Sequence, residues 1–224
     1  MKAPRFVVEF GTVGMPPEPD GRLDAPAVHR NQGPIWSVLA PFLQGQGGDV
    51  LEVGSGTGQH VVAFARETPD ITWWPSDFND RHLTSIAAWT RHSGLTNVRP
   101  PLRVDVSDPA WLPQSDPPSG LLAILCANVL HIAPWRVAEG LLRGAGRHLR
   151  PEGRLFIYGP FMRNGEHTAA SNAEFDTSLR HANPDWGVRD VEDLRTAAAG
   201  LGLTLAEIVQ MPANNLILIF ERRR

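Results

Sequence analysis

Hydrophobic residues in this chain follow two alternating rhythms, short continuous runs and then stripes at a spacing of three to four, and that alternation predicts an α/β protein. The runs at 50–53, 71–74, 98–106, 121–127 and 154–158 read as buried strands. Between them, Val62, Ala63 and Phe64 mark a helix over 59–66, and Leu83, Ile86 and Thr90 mark another over 80–92 that Gly94 ends. Val137, Leu141, Leu142 and Ala145 form the stripe of a third helix over 134–148, where Pro134 suits the first turn. Ile35, Val38, Leu39 and Phe42 predict an earlier helix that stops at the glycines of 45–48. A last helix at 191–201 precedes two β-rich runs, 204–210 and 215–221. No helix separates those two, so they should pair antiparallel. Right-handed crossovers in the rest imply a mostly parallel sheet with helices on both faces.

Two segments depart from this rhythm. Residues 1–28 carry Pro4, Pro16, Pro17, Pro19 and Pro26 and read as a partly irregular N-terminal extension with one strand-like piece at 5–13. The remainder, 29–224, reads as a single domain. Within it, 159–188 interrupts the alternation with one short helix at 173–181, and a loop of that length after the fifth strand is expected to act as a substrate lid.

Composition narrows the function. With 224 residues, 42% apolar content and a net charge of -3, the chain can bury a full core and shows no polyanion-binding surface, so nucleic acid is not an expected partner. No stretch approaches the roughly 20 apolar residues of a membrane span, and the N-terminus lacks a signal-peptide core. The expected location is cytoplasmic. The single Cys126 lies in an apolar run and reads as a small buried hydrophobe, not a nucleophile. Lys2 is the one lysine, which excludes a P-loop and a Schiff-base mechanism. The eight histidines show neither H-E-x-x-H spacing nor a Cys/His cluster, so no metal is expected. Most of the seven tryptophans, Trp73, Trp89 and Trp135 among them, read as packing residues.

The chemistry concentrates where the first strand breaks into Gly54-Ser55-Gly56-Thr57-Gly58 before a helix. Glycines at alternate positions allow left-handed turns and let a ligand approach the backbone. The pattern G-x-G-x-G resembles the first motif of class I S-adenosylmethionine-dependent methyltransferases, whereas the dinucleotide fingerprint needs its third glycine where Gln59 stands. In an open parallel sheet ligands bind beyond the carboxyl ends of the strands. Candidate cofactor-binding residues are therefore Glu52, Gly54, Ser55, Gly56 and Gly58 at the first strand, Asp77 at the second, Asp105 at the third and Asn128 at the fourth. Asp77 follows Gly54 at about the spacing of a ribose-binding acid, although it could instead cap the next helix, for which Asp80 is at least as well placed. Asp105 with Ser107 and Asp108 could simply build a turn. Glu52 inside an apolar strand needs a partner, either a cationic cofactor or a neighbouring arginine.

Candidate catalytic bases are His131, at the exit of the fourth strand, and His167, in the lid, for which an ordinary surface role competes. Candidate acceptor-binding residues are Arg30, Asn31, Phe161, Asn172, Asp176 and Trp186.

Several longer pieces occur in order from about His29 to the C-terminus: Arg30-Asn31 with Pro34-Ile35, Ser55-Gly56-Thr57-Gly58-Gln59-His60, Trp74-Pro75-Ser76-Asp77, His131-Ile132-Ala133-Pro134-Trp135, Tyr158-Gly159-Pro160-Phe161, Ser171-Asn172 with Phe175-Asp176, Trp186-Gly187 with Arg189-Asp190, and Met211-Pro212-Ala213-Asn214-Asn215. Through them the chain resembles the domain-of-unknown-function 938 family, also described as methyltransferase-like protein 26, within the class I methyltransferases. The resemblance implies a Rossmann-like, seven-stranded sheet of order 3-2-1-4-5-7-6 with strand seven antiparallel. It also implies S-adenosylmethionine at Glu52 to Gly58, Asp77 and Asp105. Family members often carry alanine where this chain has Gly54, and the family offers no substrate to carry over.

The expected function is methyl transfer from S-adenosylmethionine to a small-molecule acceptor. A nicotinamide-dependent oxidoreductase on the same sheet and a non-catalytic cofactor-binding sensor or scaffold are the alternatives, and a homodimer stays open beside a monomer. The segment Asn128-Val129-Leu130 lacks the N-P-P-Y type motif of nucleic-acid base methyltransferases.

Overall fold

The computed structural model of the protein describes residues 18–108, Trp111 and 120–223. The expected strand-like piece at 5–13 lies outside these. In chain order the elements are α1 (Pro26–Leu43), β1 (Gly48–Val53), α2 (Gln59–Glu67), β2 (Ile71–Asp77), α3 (Asp80–Ser93), β3 (Leu102–Arg103), β4 (Leu121–Ala127), a 3-10 turn (Leu130–Ile132), α4 (Trp135–His148), β5 (Leu149–Gly159), β6 (Phe161–Arg163), β7 (Glu166–His167), α5 (Ala170–Ala182), β8 (Arg189–Asp190), α6 (Val191–Ala199), β9 (Leu203–Gln210), a 3-10 turn (Pro212–Asn214) and β10 (Leu216–Arg222).

The main sheet has seven strands in the order β3-β2-β1-β4-β5-β10-β9. Numbered by main-sheet strands alone, that is the expected 3-2-1-4-5-7-6. The antiparallel strand is β10, which pairs antiparallel with both β5 and β9. By their internal contacts the described residues form two compact units, one up to Asp105 and one from Val106.

In the first unit, β1 pairs parallel with β2, and Val50, Leu51, Ile71 and Trp73 are buried with Phe64 of α2 and Ile86 of α3. Helix α1 begins at Pro26, well before the expected Ile35. Its buried face, Val28, Asn31, Ile35, Leu39 and Leu43, repeats every three to four residues across Gly33-Pro34. Pro26 suits the first turn, and the carbonyl that Pro34 leaves without its usual donor belongs to the exposed Arg30. The segment before α1 is fastened down. Leu23 is 3% exposed, its N–H donates to Ser85 Oγ, and its carbonyl accepts from Trp89 Nε1.

The expected third strand, 98–106, shrinks to β3 and one bridge between Val98 and Trp73. Pro100 and Pro101 have no N–H to offer a ladder, so pairing is interrupted between that bridge and β3.

In the second unit, β4 and β5 pair parallel, and the apolar stripe of α4 and Leu194 of α6 are buried with them. Cys126 lies buried in β4. The insertion after β5 is ordered. Phe161–Arg163 and Glu166–His167 form a hairpin through Asn164 and Gly165, both with positive φ, and β8 joins it parallel to make a three-stranded sheet. No helix among the described residues is long and apolar enough to cross a membrane.

Candidate functional site

In the first unit the glycine loop is held open by hydrogen bonds from both sides. Gly54, Gly56 and Gly58 take φ of 68°, 56° and 91°, the left-handed region that side chains disfavour. Ser55 N donates to Ser76 O at 2.8 Å, and Gly56 N donates to Asp77 Oδ2 at 2.8 Å. Ser85 of α3 donates to Thr57 O. The last two glycines have different tasks. A Cβ at Gly58 would lie 2.8 Å from Ile86 Cα, so this glycine lets α3 approach. A Cβ at Gly56 would meet nothing within 4 Å, so its bareness leaves open space at the loop.

Asp77 is the hub of this site. Besides Gly56 N, its carboxylate accepts from Asn79 N at 2.9 Å and faces His82 Nδ1 at 3.2 Å. Three of roughly four acceptor sites on a carboxylate are thus engaged. The cap of α3 is Asn79, which accepts from Arg81 N, and not Asp80 as expected. Asp105 is half-buried just beyond β3, following Val104, whose N–H donates to Asp77 O.

Glu52 is 1% exposed. Burial, reinforced by the charge of Asp77 and opposed by Ser55, pushes its pKa up to about 8. The nearest ionisable partner is His60, with Nδ1 3.9 Å from Oε1, so the arginine alternative is not what the fold supplies. Burial holds His60 itself neutral, down to about 4. Its Nε2 meets Asn31 Oδ1 at 2.8 Å and its ring stacks on Phe64. Asn31 is therefore committed to His60, while the adjacent Arg30 points to the exposed side of α1. Gln59, in the place of the absent third glycine, accepts from Thr57 Oγ1 and Ala25 N and donates to Asp24 Oδ1.

Two buried atoms beside this loop have no hydrogen-bond partner among the described residues, Glu52 Oε2 and Asn79 Nδ2. Native proteins leave few such atoms unpaired. Together with the open space at Gly56 they fit a ligand that bears both donors and acceptors and a positive charge near Glu52, as S-adenosylmethionine does. Asn79 was not among the sequence candidates, although asparagine is as good an N-cap type as the neighbouring Asp80.

In the second unit, Asn128 leaves β4 with a φ of 59°. Gly159 ends β5 opposite: a Cβ there would lie 3.5 Å from His131 Nδ1 and 4.0 Å from Asn128 Oδ1, so the three residues border one space. Burial, with help from Arg189, lowers the His131 pKa to about 4. The turn that carries His131 is braced by Arg189, which donates to Leu130 O and Ala133 O, and by Gly187 N, which donates to His131 O.

Helix α5 serves both candidate bases through consecutive residues. Phe175, 40% exposed, meets the His131 ring edge-on at 5.5 Å. Asp176 Oδ2 stands 3.7 Å from His167 Nε2. Asp176 also accepts from Val188 N at 2.7 Å and Arg180 Nε at 2.8 Å. Burial pushes its pKa up, but the bonds from Arg180 and Val188 and the neighbouring positive charges outweigh that and leave it lowered. One turn earlier, Asn172 donates to Thr168 Oγ1 and Asn214 O. Asp176 and Asn172 thus anchor the insertion, and Phe161 is core at 2% exposure. Trp186 is half-buried. Arg180 was not among the sequence candidates, although its i,i+4 spacing from Asp176 on α5 was a signal that could have found it.

A family model described as protein of unknown function (DUF938) matches residues 22–222. Among solved structures, an O-methyltransferase family protein from Burkholderia thailandensis superposes with a TM-score of 0.73 at 16% identity, over 88% of this chain and 57% of that one. The mitomycin 7-O-methyltransferase MmcR gives 0.70 at 17% identity, over 88% and 54%. The YcgJ protein of Bacillus subtilis gives 0.66 at 12% identity, over 88% and 99%. This chain thus spans a little over half the length of the two larger proteins. At these identities the likeness is one of fold, and the fold is that of class I methyltransferases.

Proposed function

Because the chain belongs to the DUF938 family, built on a class I methyltransferase fold, we propose that it transfers a methyl group from S-adenosylmethionine to a small-molecule acceptor. The observation that carries this reading is Glu52 Oε2, a buried carboxyl oxygen with no partner beside a glycine loop whose middle residue leaves open space. A cation near Glu52 would offset the burial that keeps it protonated. Asp77 and the backbone of Gly54 to Gly58 would hold the nucleoside, with Asn79 Nδ2 as a further donor. When bound, S-adenosylmethionine supplies an electrophilic methyl group on a positively charged sulfur that leaves as a neutral thioether.

The chain's own task is orientation and exclusion of water, which can lower a barrier by roughly 7 to 11 kcal/mol at best without a strong base. Where the acceptor is an O–H or N–H, its proton must leave as the new bond to carbon forms. His131, held neutral, has a lone pair to orient that group beside Asn128 and Gly159. His167, with Asp176 Oδ2 at 3.7 Å from its Nε2, is the second candidate to take that proton.

The oxidoreductase reading is weakened by Gln59, whose side chain fills the place a dinucleotide motif keeps bare. Calorimetry with S-adenosylmethionine, S-adenosylhomocysteine and NAD tests the proposal. Saturable binding of the first two, lost in Gly56→Val, is expected, and NAD binding alone would sink it. Transfer of labelled methyl from S-adenosylmethionine into a metabolite extract then separates an enzyme from a scaffold.

A further inference from the structure

Three of the five buried side-chain polar atoms that lack a hydrogen-bond partner among the described residues belong to the insertion after β5: Arg163 Nε, His167 Nδ1 and Trp186 Nε1. Such atoms are rare in folded proteins and costly to leave unpaired, so their concentration in one segment calls for a partner from outside the chain. Two carboxylates of this segment are already engaged, and the exposed Glu166 opposite Arg163 in the hairpin leaves Arg163 Nε unmet. Asp176 takes Val188 N, Arg180 and His167, and Asp190 takes Gly165 N and Glu192 N.

The three residues stand on adjoining elements, and the pairing of Arg163 with Glu166 and of Met162 with His167 turns Arg163 and His167 to opposite faces of the hairpin. Arg163 ends β6, the middle strand of the small sheet, and His167 lies on its neighbour β7. Trp186 precedes β8, the strand on the other side of β6, and the backbone between them is tied at Val188 to the same Asp176 that faces His167. A guanidinium Nε–H and an indole N–H can only donate. Their missing partner must be rich in lone pairs, and next to an arginine it is best an anion. Two N–H donors match the two oxygens of a carboxylate. A phosphate monoester, with three terminal oxygens, would leave acceptor sites unanswered.

We propose, resting on the methyltransferase reading above, that the acceptor carries a carboxylate and that Arg163 and Trp186 bind it. The test is calorimetry on the full chain saturated with S-adenosylhomocysteine, titrated with 4-hydroxybenzoate, 3-hydroxyphenylacetate and succinate, each beside its primary amide, and with phenyl phosphate. At least one acid should bind about 10-fold or more tightly than its amide. Trp186→Phe and Arg163→Met should each weaken that acid about 10-fold while S-adenosylhomocysteine binding is retained. If Arg163→Met misfolds, Arg163→Lys keeps the charge and stem without the Nε–H and takes its place.

The proposal is overturned if amides bind as well as acids, if no acid binds below about 10 mM, if phenyl phosphate binds in preference, or if the variants leave the acid's affinity unchanged. Should the wild-type chain fail to bind S-adenosylhomocysteine, the methyltransferase reading falls by itself. The acid and amide titrations repeated without it still decide the carboxylate site.

Discussion

Replacing Glu52 by glutamine isolates what it costs to keep a carboxyl group inside β1. Glu52 is 1% exposed, its Oε2 is unpartnered among the described residues, and burial together with the Asp77 charge raises its pKa from 4.5 to about 8. The folded chain therefore retains a proton that the unfolded chain releases above 4.5. Between pH 4.5 and 8 the folded state binds more protons, so the unfolding free energy must fall as pH rises through that window. Below it both states are protonated and the group contributes nothing. Above it both are ionised and the whole penalty is present. At about 1.36 kcal/mol per pKa unit, the penalty reaches at most about 5 kcal/mol. Glutamine has nearly the same volume and cannot ionise, so Glu52→Gln escapes the pH-dependent part. His60, whose pKa burial holds near 4, stays neutral above pH 5 in the folded chain and changes little in the comparison. Urea unfolding of both proteins at pH 5, 7 and 9, without ligand, is the assay. The variant's stability relative to wild type should climb by about 3 to 5 kcal/mol from the lowest pH to the highest. An offset that stays constant within about 1 kcal/mol would show that Glu52 carries no such burden and would remove the argument for a cation beside it.

Two further predictions follow from the loop and from the buried histidines. Gly58→Ala combines a left-handed backbone with a Cβ 2.8 Å from Ile86 Cα and should cost about 2 to 5 kcal/mol, whereas Gly56→Ala meets open space and should cost about 1 to 2 kcal/mol. Equal losses in urea unfolding would contradict this division of roles. Burial lowers the pKa of both His60 and His131 from 6.5 to about 4, so the unfolded chain takes up protons that the folded chain refuses, and stability must drop as pH falls from 6.5 towards 4. By pH 5 each histidine should account for about 2 kcal/mol of loss, and His131→Gln should recover one such share relative to its own stability at pH 7. A wild-type and variant pair that lose stability in parallel would refute it.

Much of this protein is legible in its linear pattern because strand runs and helix stripes are local signals. The run 121–127 is β4 residue for residue, the stripe from Val137 to Ala145 is the buried face of α4, and the absence of a helix before Leu216 foretells the antiparallel β10. The glycine loop is legible for the same reason, since its left-handed turns need glycines at fixed spacing. Element bounds were less legible. Helix α1 carries its buried stripe N-terminal of Ile35 through Pro34, and Pro100 and Pro101 interrupt a strand that the apolar pattern drew as continuous.

Side-chain partners were decided by tertiary structure alone. Whether Glu52 faced an arginine, a histidine or nothing depended on α2 bringing His60 to 3.9 Å while leaving Oε2 bare. Asn31 and Arg30 are adjacent in sequence, yet helical geometry turns one toward His60 and the other to the exposed side. Asp176 and Phe175 are divided in the same way between His167 and His131. Periodicity tells which face of an element is buried, but the atom a buried polar group meets is set by a different element, at a distance in sequence that no local pattern encodes.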